Sequence, residues 1–165
     1  MARRKKAAPR LSRRAATRNR LDAIGEWSAE AGEGVLTIVW ESPPDLATRG
    51  LALGLQFQVE SEGEDFDPDD RMFELWESIR GRRVAVLRDL KARMATPVVG
   101  PDGEDLAERP DLDPYDPVVI IRRSDSRGEP RYDVEVVAEA GDEEHILSLR
   151  YDPETGTFGP GWELM

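Results

Sequence analysis

Five stretches of the chain carry the residue pattern of β-strands. Residues 51–59 alternate large apolar side chains with small or polar ones, and the odd positions would face a core. Residues 132–137 alternate in the same way, with apolar even positions. Residues 35–40, 118–122 and 146–151 are rich in β-branched and aliphatic side chains, which favour strands. The pattern predicts two strands early in the chain and three near its end.

Between these two groups, large apolar residues recur at helical spacing. Asp67 fits an N-cap and Pro68 fits the first helical position, so the helix should begin there. The residues that share one face of this helix are Met72, Trp76, Ile79, Leu87, Leu90 and Met94. Arg83 falls within that face, where an unpaired arginine is unfavourable. We therefore expect a bend or break near Gly81, or an acidic partner for Arg83, and an end to the helix before Pro97.

The order of these elements predicts the fold class. Strand, strand, helix and then an antiparallel meander indicate an α+β fold, in which a mostly antiparallel sheet has one long or broken helix packed on one face. We expect residues 21–165 to form a single acidic α+β domain behind a disordered basic tail at residues 1–20. Residues 97–117 hold five prolines and many acids, and predict a long loop.

Charge divides the chain into two unequal parts. Residues 1–20 contain nine basic side chains and no acid, whereas residues 21–165 contain 14 basic and 34 acidic ones, a net charge of −20. Such dense like charges resist compaction, which is the reason to expect a disordered tail. The basic residues of this tail are Arg3, Arg4, Lys5, Lys6, Arg10, Arg13, Arg14, Arg18 and Arg20.

The tail is a candidate polyanion-binding segment. Its charges would neutralise phosphates and give salt-dependent binding to nucleic acid without sequence preference. The alternatives are a solubilising tail, a tail that folds back on its own acidic domain, and a weaker attraction to an anionic membrane surface. The acidic domain could in turn attract a basic protein partner, or could simply keep the protein soluble.

The acids before the predicted helix resemble part of a calcium-binding loop. Asp65, Asp67 and Asp69 have the alternate spacing that such a loop requires. However, the glycine needed at the sixth position is Asp70, and the bidentate acid needed at the twelfth is Trp76. A helix cap therefore explains this segment better than a metal site.

A second acidic cluster and the single histidine are the remaining candidates for chemistry. Asp111, Asp113 and Asp116 lie in the predicted loop and could bind Ca²⁺ or Mg²⁺, although a solvated acidic loop is the simpler interpretation. His145 could act as a base or a ligand, but it follows two acids at the start of a predicted strand, which is typical of an exposed strand end.

The sequence also excludes several classes of protein. The chain has no cysteine, so disulfides, thiolate zinc sites and cysteine nucleophiles are excluded. It has no apolar run of the ~20 residues that a membrane span needs. No apolar stretch follows the basic start, so we expect no secretory signal and a cytoplasmic protein, with an organelle transit peptide as the alternative.

No phosphate-binding loop, dinucleotide fingerprint or nucleophile motif occurs in the chain. We therefore expect a non-enzymatic interaction module that needs no cofactor, with an arginine-rich arm that contacts a polyanion. The alternatives are a small carboxylate- or metal-dependent enzyme with its site near residues 97–117, and an accessory subunit of a larger complex.

Overall fold

The protein is described by a computed structural model over residues 13–40, 54–62, 66–94, 98–99, 102, 115–125, 128–140, 145–159 and 162–164. Within these ranges the chain forms three helices and nine strands. In chain order they are α1 (Arg13–Ile24), β1 (Trp27–Gly32), β2 (Val35–Trp40), β3 (Gly54–Glu60), α2 (Asp70–Gly81), α3 (Arg83–Met94), β4 (Val98–Val99), β5 (Tyr115–Ser124), β6 (Arg131–Ala140), β7 (His145–Asp152), β8 (Thr157–Phe158) and β9 (Trp162–Leu164).

All nine strands belong to one sheet, which is built from two mainly antiparallel groups, with β4 at one edge pairing parallel to β9. The strand order is β1-β2-β3-β5-β6-β7-β9-β4, and β8 also pairs with β7. The groups meet where β3 runs parallel to β5, with Leu55 opposite Val119 and Phe57 opposite Ile121. A tight turn cannot join parallel neighbours, so α2 and α3 lie in the crossover between them. The predicted α+β class and the mostly antiparallel sheet are confirmed.

One face of the sheet and one side of α2 share the hydrophobic core. The predicted alternation in the second strand is confirmed over the described residues, since Leu55, Phe57 and Val59 are buried. Helix α2 buries Met72, Phe73, Leu75, Trp76 and Ile79. Phe57 makes edge-to-face contacts with Trp40 and Phe73, at centroid distances of 5.1 and 5.4 Å. These contacts join the sheet to the helix.

The helical region differs from the sequence expectation at its start. The N-cap is Asp69 rather than Asp67, and its Oδ1 accepts the Met72 N–H at 3.1 Å. Pro68 therefore precedes the helix. The reason lies in the tertiary structure, because Arg123 Nη1 donates to the Asp67 carbonyl oxygen at 2.9 Å and holds that segment against the sheet.

The helical region is also divided into two helices at Arg82. This residue follows α2 with φ −104° and ψ 15°, and α3 begins at the next residue. The break restarts the helical register, so Arg83 is exposed instead of lying in the apolar face. Leu90 still packs into the core from α3.

The first described residues form a helix where the sequence predicted a disordered tail. Residues 13–20 belong to α1, so the expected boundary at residue 20 falls inside a helix. The reason is its last turn, where Leu21 is 4% exposed and its carbonyl oxygen accepts the Trp40 Nε1–H at 3.4 Å. Residues 1–12 lie outside the described part of the chain, as does most of the predicted loop at 97–117.

Candidate functional site

Four of the nine predicted polyanion-binding residues lie on α1, namely Arg13, Arg14, Arg18 and Arg20. The other five, which are Arg3, Arg4, Lys5, Lys6 and Arg10, lie outside the described residues. Arg14 and Arg18 are four residues apart, so they share one side of the helix, and both are exposed. Arg13 and Arg20 are seven residues apart, which is about two helical turns, so they lie on the same side of α1.

Arg20 fixes the orientation of α1 on the domain. Its guanidinium carbon lies 3.9 Å from the centroid of the Phe73 ring, which is a cation–π contact. Its Nη1 also forms an ion pair with the exposed Asp70 carboxylate at the start of α2. Together with buried Leu21, these contacts hold the helical part of the basic tail in one position against α2.

A second group of arginines surrounds the α2–α3 junction, and of these the sequence pattern drew attention only to Arg83. Arg80, Arg82, Arg83 and Arg88 line one concavity of about 770 Å³. Arg80 and Arg88 form exposed ion pairs with Glu77 and Asp89, at 3.6 and 3.4 Å. No described carboxylate lies within ion-pair distance of Arg82 or Arg83.

A narrower groove connects this junction to α1. It has a volume of about 280 Å³ and is lined by Arg20, Phe73, Trp76 and two residues shared with the junction concavity, Glu77 and Arg80. The two arginine groups are therefore neighbours on the helical side of the fold. We call the set Arg20, Arg80, Arg82, Arg83 and Arg88 the basic helical surface.

The junction could have been found from the sequence by its local charge. Residues 80–93 contain six basic side chains and one acid, in a part of the chain where acids outnumber bases by 34 to 14. The signal was hidden because the apolar residues of α3 interrupt the basic ones and because the net charge averages over the whole domain.

A buried ion network lies at the end of the sheet near the start of α2. The Arg123 side chain is 5% exposed, and its guanidinium lies 3.4 Å from Asp69 Oδ2 and 3.0 Å from Asp125 Oδ2. Tyr132 donates its hydroxyl to Asp69. Burial, followed by this hydrogen bond, raises the pKa of the Tyr132 phenol to about 12. The phenol is therefore neutral at physiological pH, and the network ties α2 to the sheet.

The opposite face of the sheet carries a separate polar network. Arg122 donates from Nε to Gln58 Oε1 at 3.0 Å and from Nη2 to Glu135 Oε1 at 2.9 Å. The other oxygen of Glu135 accepts the Ser148 hydroxyl at 3.1 Å. Every contact in this network joins neighbouring strands β3, β5, β6 and β7, so its evident role is to hold the strands in register.

The structure describes only some of the residues that the sequence offered for an enzymatic site near residues 97–117. Asp111 and Asp113 lie outside the described residues, whereas Asp116 belongs to β5 and His145 begins β7. Within the described ranges, no group of three or more acidic or histidine side chains is arranged to hold a metal ion. In the same ranges, no helix has the length and apolar character that crossing a membrane requires.

Comparison with known proteins does not add a relative. No protein-family model matches the chain, and neither the curated proteins nor the solved structures contain a significant match.

Proposed function

We propose that this protein is a non-enzymatic interaction module that binds a polyanion, specifically nucleic acid, through its arginine-rich N-terminal arm, residues 1–20. The observation that best supports this proposal is the attachment of α1. Buried Leu21 and the contacts of Arg20 with Asp70 and Phe73 fix the helical part of the arm to the core. Phosphates bound by the arm would therefore be held at a defined place on the domain.

The chemistry of the arm suits the nucleic-acid backbone. Seven of its nine basic residues are arginines, whose planar guanidinium groups can contact phosphate oxygens in pairs. Residues 1–20 contain no aromatic side chain, so the arm has no group on which bases could stack. We therefore expect binding that depends strongly on salt and weakly on sequence.

The acidic remainder of the chain would orient the ligand. With a net charge of −20 over residues 21–165, most of the domain repels a polyanion and leaves the arginine-bearing side as the favourable approach. A basic protein partner for the acidic surface stays a prediction from charge alone.

Fluorescence anisotropy with generic DNA and RNA tests the proposal. In the full-length chain, Gln replaces every basic residue of the arm except Arg20, which is kept because it packs on Phe73. Binding at 0.1 M salt should fall roughly 10³-fold or more, since the loss of even four phosphate contacts removes that much affinity.

The matched control keeps the charge and changes only the chemistry of the same positions. It carries Lys at each of these arginines, and it should retain most of the affinity because counterion release depends on the number of positive charges, although the paired guanidinium contacts are lost. Unchanged binding by the Gln variant would contradict the proposal.

A further inference from the structure

We infer that the concavity at the α2–α3 junction is a second phosphate-binding site, so that nucleic acid bound by the arm also contacts Arg82 and Arg83. This inference rests on the proposed function and extends it to residues outside the arm. The first observation is the local charge. Six of the 14 basic residues of the domain fall within residues 80–93, and the remaining 131 residues of the domain carry only eight basic side chains against 33 acids.

The geometry of the junction gathers these charges at one place. Arg80, Arg82, Arg83 and Arg88 come from the end of α2, the break and the first turns of α3, and all four line the same concavity. A continuous helix would have turned Arg83 toward the apolar face. Because the chain breaks at Arg82, both Arg82 and Arg83 are exposed.

Arg82 is also held in position by the neighbouring turn. A Cβ built on Gly156 would lie 2.6 Å from Arg82 Nη1, so the guanidinium occupies the space that the missing side chain leaves. Gly156 has φ +71°, a conformation that glycine adopts without strain. The turn between β7 and β8 therefore restricts the position of Arg82 before any ligand binds.

The arginines at the junction differ in whether they already form ion pairs with carboxylates. Arg80 and Arg88 have exposed carboxylate partners, Glu77 and Asp89, which a phosphate could replace. Arg82 and Arg83 have no ion pair with a carboxylate of the described residues. These two side chains are therefore the ones that we expect to contribute most to binding.

The position of the junction favours a polymer over a small anion. The groove lined by Arg20 and Arg80 joins α1 to the junction concavity, so one extended chain of phosphates could contact both. The described lining of the junction contains no aromatic side chain, and Val84 is its exposed apolar residue, at 68%. We therefore expect contacts with the phosphodiester backbone and no base recognition at this site.

The test compares two full-length double variants by anisotropy with a mixed-sequence DNA duplex, between 50 and 200 mM salt. Arg82→Gln with Arg83→Gln removes the junction charges. Arg131→Gln with Arg150→Gln removes two exposed arginines from strands β6 and β7. Loss of two duplex phosphate contacts should lower the affinity at 0.1 M salt roughly 50-fold and reduce the salt slope by about 1.8. The control variant should bind nearly as tightly as wild type, because Arg131 and Arg150 line neither the concavity nor the groove.

Further measurements separate the other outcomes. The variant Arg82→Lys with Arg83→Lys should retain most of the wild-type affinity, because it keeps both positive charges. Equal thermal midpoints for all variants would show that the weaker binding of the Gln variant does not come from misfolding. If the junction variant binds like wild type while the arm variant does not, the inference fails and the proposed function stands. If the wild type does not bind DNA, or binds only anionic lipid vesicles through Arg82 and Arg83, both are overturned.

Discussion

Replacement of Arg123 by methionine tests the role of the buried ion network in the fold. The guanidinium is 5% exposed and contacts the Asp67 carbonyl oxygen, Asp69 and Asp125 at 2.9, 3.4 and 3.0 Å. Methionine fills much of the same volume but carries no charge. Two carboxylates and one carbonyl group would then lose their common donor.

The exposure of the two acids sets the size of the effect. Removing one partner of a buried ion pair costs about 3–5 kcal/mol. The side chains of Asp69 and Asp125 are 23% and 29% exposed, so water can partly replace the lost cation. We therefore expect the free energy of unfolding to fall by about 3 kcal/mol, and the thermal midpoint by about 10 °C in a domain of this size.

The neighbouring arginine provides the control. Arg122 lies on the opposite face of the same strand, and its side chain is 30% exposed beside Glu135. Arg122→Met should lose only about 1 kcal/mol, because the Arg122 guanidinium is already partly solvated and Glu135, at 17% exposure, keeps its hydrogen bond from the Ser148 hydroxyl. Urea unfolding of the two variants measures the difference. An equal or smaller loss for Arg123→Met would refute the assignment of Arg123 as the buried tie between α2 and the sheet.

Three further predictions concern stability. The raised pKa of Tyr132 means that folding favours the neutral phenol, so this contribution to stability is present below pH 10 and is lost as the pH rises through about 12; urea midpoints should show this decline in wild type and not in Tyr132→Phe. Gly128→Ala should cost about 1–2 kcal/mol because of its positive φ, and Gly156→Ala should cost at least as much because its Cβ would also lie 2.6 Å from Arg82 Nη1; stability equal to wild type would contradict the backbone assignment. Leu21→Ala should cost about 2–4 kcal/mol whereas Ala23→Ser, at an exposed position, should be nearly neutral; similar urea midpoints would show that α1 is not packed on the core.

The sequence predicted the elements whose pattern is set by burial alone. In residues 132–137, for example, the even positions Val134 and Val136 are buried as the alternation requires. Strand β1 was not predicted because Ser28, Ala29 and Ala31 are small and lack any strand preference. They become a strand only by pairing with β2, where Ala29 lies opposite Ile38.

The candidate site was predicted less well because it depends on tertiary contacts. The sequence indicated the charge of the arm, but nothing local showed that Arg20 would contact Phe73, 53 residues away along the chain. The parallel pairing of β3 with β5 was also missed, because it is set by the crossover through α2 and α3. The arginines of the junction form a cluster because the break at Arg82 places them around one concavity, and the sequence pattern predicted such a break only as one of two alternatives.

The central claim is that the chain binds nucleic acid through phosphate contacts made by its arginines. It is tested most directly by the affinity of the wild-type protein for two unrelated DNA duplexes across a salt series. Nine basic residues in the arm predict similar affinities for both duplexes and a log–log salt slope of up to about −8, steeper if the junction also binds. Absence of binding at low salt, or a strong preference for one sequence with little salt dependence, would contradict the claim.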